Sequence, residues 1–150
     1  MTHTARDPDF EARVRASFAR QAAMATIGAE IAHLAPGEVD LRMPFSAGLT
    51  QQHGFMHAGI VGTLADSACG YAAYTLMPAD AAVLSVEYKL NLLAPAAGEA
   101  FVARGRVKKS GRTLSFVEAD VFAIRQGEER LIATLQGTMM TVLDRPGLSG

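Results

Sequence analysis

Residues 57–76, HAGIVGTLADSACGYAAYTL, restrict the possible folds of this chain more than any other stretch. Eight of the residues before Tyr74 are alanine or glycine and few are β-branched, so the segment reads as a helix. It is apolar nearly all round, and a helix of that kind has to be covered on several sides. Its most apolar part, Ile60 to Met77, contains Asp66 and falls short of the ~20 apolar residues a membrane span needs. A buried helix in a soluble protein fits it better. Pro78 stands just past its end.

The rest of the chain supplies strands to cover this helix. Over 83–93, Leu84, Val86, Tyr88, Leu90 and Leu92 alternate with Ser85, Glu87, Lys89 and Asn91. Ala94-Pro95-Ala96-Ala97-Gly98 breaks that run. Residues 99–109 and 113–125 flank the short turn Ser110-Gly111-Arg112. A last strand, 131–143, follows the polar turn Gln126-Gly127-Glu128-Glu129. Before the helix, Val39, Leu41, Met43 and Phe45 alternate with polar residues, so one face of that strand should be buried. Ala35-Pro36-Gly37 is a turn ahead of it, and Thr26 to Leu34 is a candidate strand. Residues 9–24 are expected to form a helix capped by Asp9, with Phe10, Val14, Phe18 and Ala22 near one face. Residues 46–56 form a loop, and the tail from Asp144 to Gly150 is expected to fray.

The predicted order is helix, two strands, long helix, four strands. Consecutive strands without helical crossovers argue for an antiparallel sheet. A curved sheet wrapped around the long helix would bury it, which is the α+β hotdog architecture with about six strands. One domain over 1–150 is expected, with its core at about 25–143. Such a sheet leaves an edge that a second subunit can cover.

Composition excludes several functions. The formal net charge is −1, which offers no basic footprint for nucleic acid. The single cysteine, Cys69, permits no intrachain disulfide and fits a reducing compartment; on its small-residue helix it reads as core packing. The stretch MTHTARDPDFEARV is acidic and lacks an apolar run, so no signal peptide is expected and the cytoplasm is the expected location. No membrane partner is expected. His3, His33 and His53 lack ligand spacing with a cysteine or an acid, so no metal is expected. The methionines are scattered and read as core or pocket lining.

Chemistry concentrates in Gln51 to Gly70. His57, Ala58 and Gly59 make a small-residue entry to the helix, where free N–H groups and the helix dipole favour developing negative charge. Asp66 lies inside the apolar helix with no local cation, so it is costly there unless hydrogen-bonded or facing a cavity. A carboxylate that caps nearby backbone is the competing explanation. Eight residues separate Ala58 from Asp66, about 12 Å at ~1.5 Å per residue. If both act on one substrate carbonyl, they come from two subunits of a two-fold dimer.

With Gln51, then His57-Ala58-Gly59 six residues later, then Leu64-Ala65-Asp66, the chain resembles the hotdog thioesterases of the PaaI-like and 4-hydroxybenzoyl-CoA thioesterase superfamily. The resemblance covers about residues 25–143. It implies an acyl-CoA thioesterase acting on an aromatic or medium-chain acyl group, in a homodimer or dimer of dimers. It implies Asp66 as nucleophile or general base, and the helix start at Ala58 and Gly59 as oxyanion site. Gln51 would orient substrate or water, and His57 would support the loop. Ala58 replaces the first glycine of the family's HGG and keeps the amide. Ser67 or Ser85 would supply a hydroxyl, though Ser85 is equally readable as an ordinary strand serine. Lys108, Lys109 and Arg112 would meet the CoA phosphates, or form a solvated hairpin tip. No cofactor beyond the CoA of the substrate is implied. The alternatives are an acyl-thioester dehydratase or hydratase of the same fold, and a non-catalytic acyl-CoA-binding module.

Overall fold

A computed structural model describes residues 2–150. Its elements are α1 (Phe10–Arg20), α2 (Ala22–Ile27), β1 (Glu30–Ala35), β2 (Glu38–Pro44), α3 (Ala58–Tyr74), β3 (Ala82–Leu92), β4 (Ala100–Ser110), β5 (Leu114–Arg125) and β6 (Glu128–Val142). The six strands form one antiparallel sheet in the order β1-β2-β4-β5-β6-β3. The long helix α3 packs against β2, β3, β4, β5 and β6. This is the hotdog arrangement of the α+β class, as expected.

The sheet curves around α3 for identifiable reasons. Bulges interrupt the β3–β6 register between Ser85 and Glu87 and the β4–β5 register between Val107 and Lys109, and each extra residue bends its strand. Small residues let sheet and helix approach. A Cβ on Gly105 of β4 would strike the Ala68 carbonyl and lie 2.8 Å from the Cys69 amide nitrogen of α3. The core is one cluster, including Val39, Leu41, Met43, Leu64, Ala68, Phe101, Val121, Leu135 and Met139.

The N-terminal helix differs from the expectation for 9–24. It breaks at Gln21 (φ −81°, ψ 95°), and α2 then runs to Ile27. Thr26 and Ile27, expected in a strand, are helical because Met24 and Ile27 both turn into the core three residues apart. Gly28 (φ 72°) then ends the helix in the left-handed region. Ala22 begins α2 and is exposed rather than continuing the face of Phe10, Val14 and Phe18. Asp9 makes no side-chain cap; instead the Asp7 carboxylate accepts from the Asp9 N–H (2.9 Å) and pairs with Arg13 (2.7 Å). Arg13 also donates to the carbonyls of Tyr74 and Met77, which ties α1 to the C-terminal end of α3.

Two other expectations need correction. Phe45 is exposed because β2 ends at Pro44. The 126–129 turn tightens to Gln126 (φ 51°) and Gly127 (φ 77°), and Glu128 and Glu129 join β6 opposite Arg125 and Ile124. Residues 144–150 form no helix or strand, and 144–149 are exposed. No helix is long and apolar enough to cross a membrane.

Candidate active site

Asp66 lies midway along α3 on its least covered stripe. Thr63, Asp66 and Gly70 are partly open, whereas Leu64, Ala65, Ser67, Ala68 and Cys69 are buried. The curved sheet explains this side-to-side difference, since β2 to β6 cover the rest of the helix. Asp66 thus faces a cleft of about 290 Å³, shared with Ser17, Gln21, Ser67, Tyr71 and Ser85. Ser85, from β3, donates to Asp66 Oδ1 at 2.7 Å and also approaches the Met139 sulfur at 3.3 Å. Burial pushes the Asp66 carboxyl above its ordinary value of 3.8, and the Ser85 hydrogen bond partly offsets that rise. Ser67, the other serine named from sequence, lines the same cleft but donates to Gln21 Oε1 at 3.3 Å.

The start of α3 belongs to a second cleft, of about 440 Å³, lined by Gln51, Phe55, Ala58, Val61, Leu92 and Ile132 among others. His57 caps the helix: its Nδ1 accepts from the Gly59 N–H at 2.8 Å. That contact corrects the expectation for Gly59, whose amide is occupied and not open to a ligand. The Ala58 N–H has no protein acceptor among the described residues. Gln51 curls over its own loop, and its Oε1 accepts from the His53 and Phe55 amides. This leaves its side-chain amide hydrogens without a protein acceptor among the described residues.

Gln51, Ala58 and His57 therefore gather at one end of α3. Asp66, Ser67 and Ser85 gather in a different cleft of the same chain. Lys108, Lys109 and Arg112 reach neither. Lys108 pairs with Glu118 at 2.6 Å beside a shallow depression holding Glu87, Lys89 and Phe116. Cys69 is fully buried, and its thiol is pushed far above its ordinary value by burial, which fits packing. Among the described residues no three His, Cys, Asp or Glu side chains converge as a metal would require.

Sequence reasoning did not find Ser17, Arg20, Gln21 and Tyr71 as lining of the Asp66 cleft. Ser17 and Arg20 come from the second half of α1, and Gln21 from its break with α2, which carries no glycine or proline to announce it. Tyr71 carried no signal either, since five residues on from Asp66 is well round the helix from it.

Residues 53–129, about half the chain, match the sequence family described as Thioesterase superfamily. A Saccharolobus solfataricus protein with a provisional esterase name is 32% identical over 112 residues, 75% of this chain and 72% of that one. The chain spans roughly two thirds to three quarters of the curated relatives it matches. A crystal structure of a thioesterase family protein from Silicibacter pomeroyi superposes with a TM-score of 0.88 at 57% identity, covering 89% of this chain and 98% of that one. The Escherichia coli PaaI protein, from a phenylacetic acid degradation operon, shares the fold with a TM-score of 0.80 at 20% identity, covering 89% and 94%.

Proposed function

The chain belongs to the thioesterase superfamily, and from that premise we propose that it hydrolyses an acyl-CoA thioester with Asp66 as the reactive carboxylate. The observation that carries the reading is Asp66 itself. It is a half-buried carboxylate with a raised pKa, facing a cleft and held by one hydroxyl, Ser85. Desolvation makes this carboxylate a stronger base than an exposed one, which suits it to draw a proton from water or to attack the carbonyl directly.

The reaction needs a second component. When an oxygen adds to the thioester carbon, the carbonyl oxygen becomes negative and requires a donor. The open Ala58 N–H at the start of α3 is such a donor, and the helix dipole strengthens it. Ala58 and Asp66 lie in separate clefts of one chain. Two copies related by a two-fold axis, with antiparallel α3 helices, would place Asp66 of one beside Ala58 and Gln51 of the other. The water oxygen then bonds to the carbonyl carbon, the C–S bond breaks, and the water protons pass to the CoA thiolate and the medium. The products are a carboxylic acid and CoA. No step uses a metal or an organic cofactor, and no residue here marks the cell compartment.

Edge strand β3 supports the pairing. It is 11 residues long and exposes Val86 (53%), Tyr88 (45%) and Leu92 (58%). A long apolar edge of this kind pairs with another strand. A dimer of dimers would then cover Leu84, Leu114 and Phe116 on the outer face of the sheet.

The test is thiol release from a panel of acyl-CoAs by wild type and Asp66→Asn. Wild type should turn over. The variant should lose about 10²–10⁴-fold in kcat with its melting temperature retained. A variant at the wild-type rate would remove Asp66 from the mechanism, and a panel with no thiol release would remove the hydrolysis reading.

A further inference from the structure

Strand β3 passes α3 in the opposite direction, and three contacts set their relative heights. Ser85 donates to Asp66. Tyr88 lies over Gly62, where an added Cβ would stand 3.9 Å from its hydroxyl and 3.4 Å from Leu90 Cδ2. Leu92 lines the same cleft as Ala58. A two-fold axis that sets Asp66 of one copy beside Ala58 of the other crosses the level of α3 midway between them, at Gly62. On β3 the midpoint between Ser85 and Leu92 falls beside Tyr88. The two elements, counted separately, give one level, and it is the level at which they touch.

We infer that β3 pairs antiparallel with β3 of a second copy of this chain in one register, with Tyr88 directly opposite Tyr88 of the partner subunit. The inference deepens the proposed two-subunit site and rests on it. Charge supplies a separate argument. Two identical antiparallel strands set one residue opposite its own copy, and the residues on either side of it face each other crosswise. With Tyr88 at that point, Glu87 faces Lys89 of the partner subunit, and Lys89 faces the partner's Glu87. Both side chains line the depression beside Phe116, and neither makes an ion pair among the described residues. The bulge at Val86 lies outside these pairs, since the β3–β6 register is regular from Glu87 to Leu92. Shifting the axis by one residue sets Glu87 against Glu87 or Lys89 against Lys89, and like charges directly opposite are destabilising. Shifting it by two sets both charges against uncharged residues, Ser85 and Val83 or Leu93 and Asn91. Of these five registers, the one centred on Tyr88 alone gives two opposite-charge pairs.

The first test is a symmetric disulfide. Tyr88→Cys places two thiols opposite each other with Cα atoms about 4.5–5.5 Å apart, inside the range of about 4.4–6.8 Å that a disulfide spans. A register shifted by one residue carries them outside it. Copper phenanthroline in air, which takes two electrons and two protons from the thiol pair, should convert this variant to a covalent dimer that dithiothreitol reverses. Wild type, whose Cys69 is buried, and Asn91→Cys, with its thiol three residues off the axis, should not link. The second test is charge reversal. Glu87→Lys and Lys89→Glu should each weaken self-association in sedimentation on the order of tenfold, and the double reversal should restore it. An unlinked Tyr88→Cys, linking of Asn91→Cys to the same extent, or a double reversal no tighter than the single ones overturns the register. Linking at Tyr88→Cys and charge rescue without any thiol release would remove the hydrolysis reading and keep the interface. Thiol release with neither would keep hydrolysis and remove the register.

Discussion

At the scale of single residues, the protonation of Asp66 sets the testable behaviour. As base or nucleophile it must be ionised, so activity rises with pH through its pKa, above the ordinary 3.8 because burial disfavours the charged form. The Ser85 bond favours the carboxylate, so Ser85→Ala raises that pKa further. The acid limb of the kcat/KM profile of Ser85→Ala should therefore move to higher pH, and an unmoved or downward-shifted limb would separate Ser85 from Asp66. Stability has the opposite sign. A folded-state pKa above the unfolded value means that the folded chain binds more protons between the two, so stability falls as pH rises through that window. The sequence made Asp66 legible because a lone carboxylate in an apolar helix is costly and conspicuous. Ser85 was readable only as one of two candidate hydroxyls, since choosing between Ser67 and Ser85 needs the rotation of α3 against β3. The Gly59 amide was misjudged because a histidine at the helix cap does not reveal in sequence which way its ring folds.

At the scale of elements, β2 and β3 were readable from alternating polar and apolar residues, whereas β4, β5 and β6 were readable from the turns that separate them. The break between α1 and α2 was not readable. Gln21 is an ordinary helix former, and what separates the two helices is packing: Arg13 fastens α1 to the end of α3, while Met24 and Ile27 turn α2 into the core. Propensity yields to tertiary contact in such a case. The wall of the cleft that Ser17, Arg20 and Gln21 build was hidden for the same reason. The contact between β4 and α3 is equally invisible in sequence, although the whole site depends on it. Gly105 has no Cβ, so β4 can lie against the backbone of α3 at Ala68 and Cys69, one turn beyond Asp66. Gly105→Ala forces strand and helix apart and should cost about 1–3 kcal/mol by overpacking. Chemical denaturation would measure the loss, and an unchanged midpoint would show that the two elements are not in tight contact there.

At the scale of the whole molecule, the proposed site is divided between the start of α3 and its middle, in two separate clefts of one chain. The sheet and α1 cover α3 except along the stripe that includes Thr63 and Asp66, and β3 borders that opening as an unpaired edge. A second copy set against β3 would cover both the apolar edge and the open stripe, so under the proposed mechanism one contact would remove an aggregation hazard and complete two active sites. This couples assembly to catalysis, and Val86 is the place to test it. Val86 sits in the bulge, and the β3–β6 register skips it from Ser85 to Glu87, so its amide is no rung of the intrachain ladder. Val86→Pro removes the N–H of that bulge residue and stiffens the edge strand against pairing with another strand. Light scattering should find the variant at monomer mass, with its helix and sheet signals retained and thiol release lost. A folded monomer that still hydrolyses acyl-CoA would mean that Asp66 needs nothing from a second subunit, and the oxyanion donor would then have to be sought within the Asp66 cleft itself.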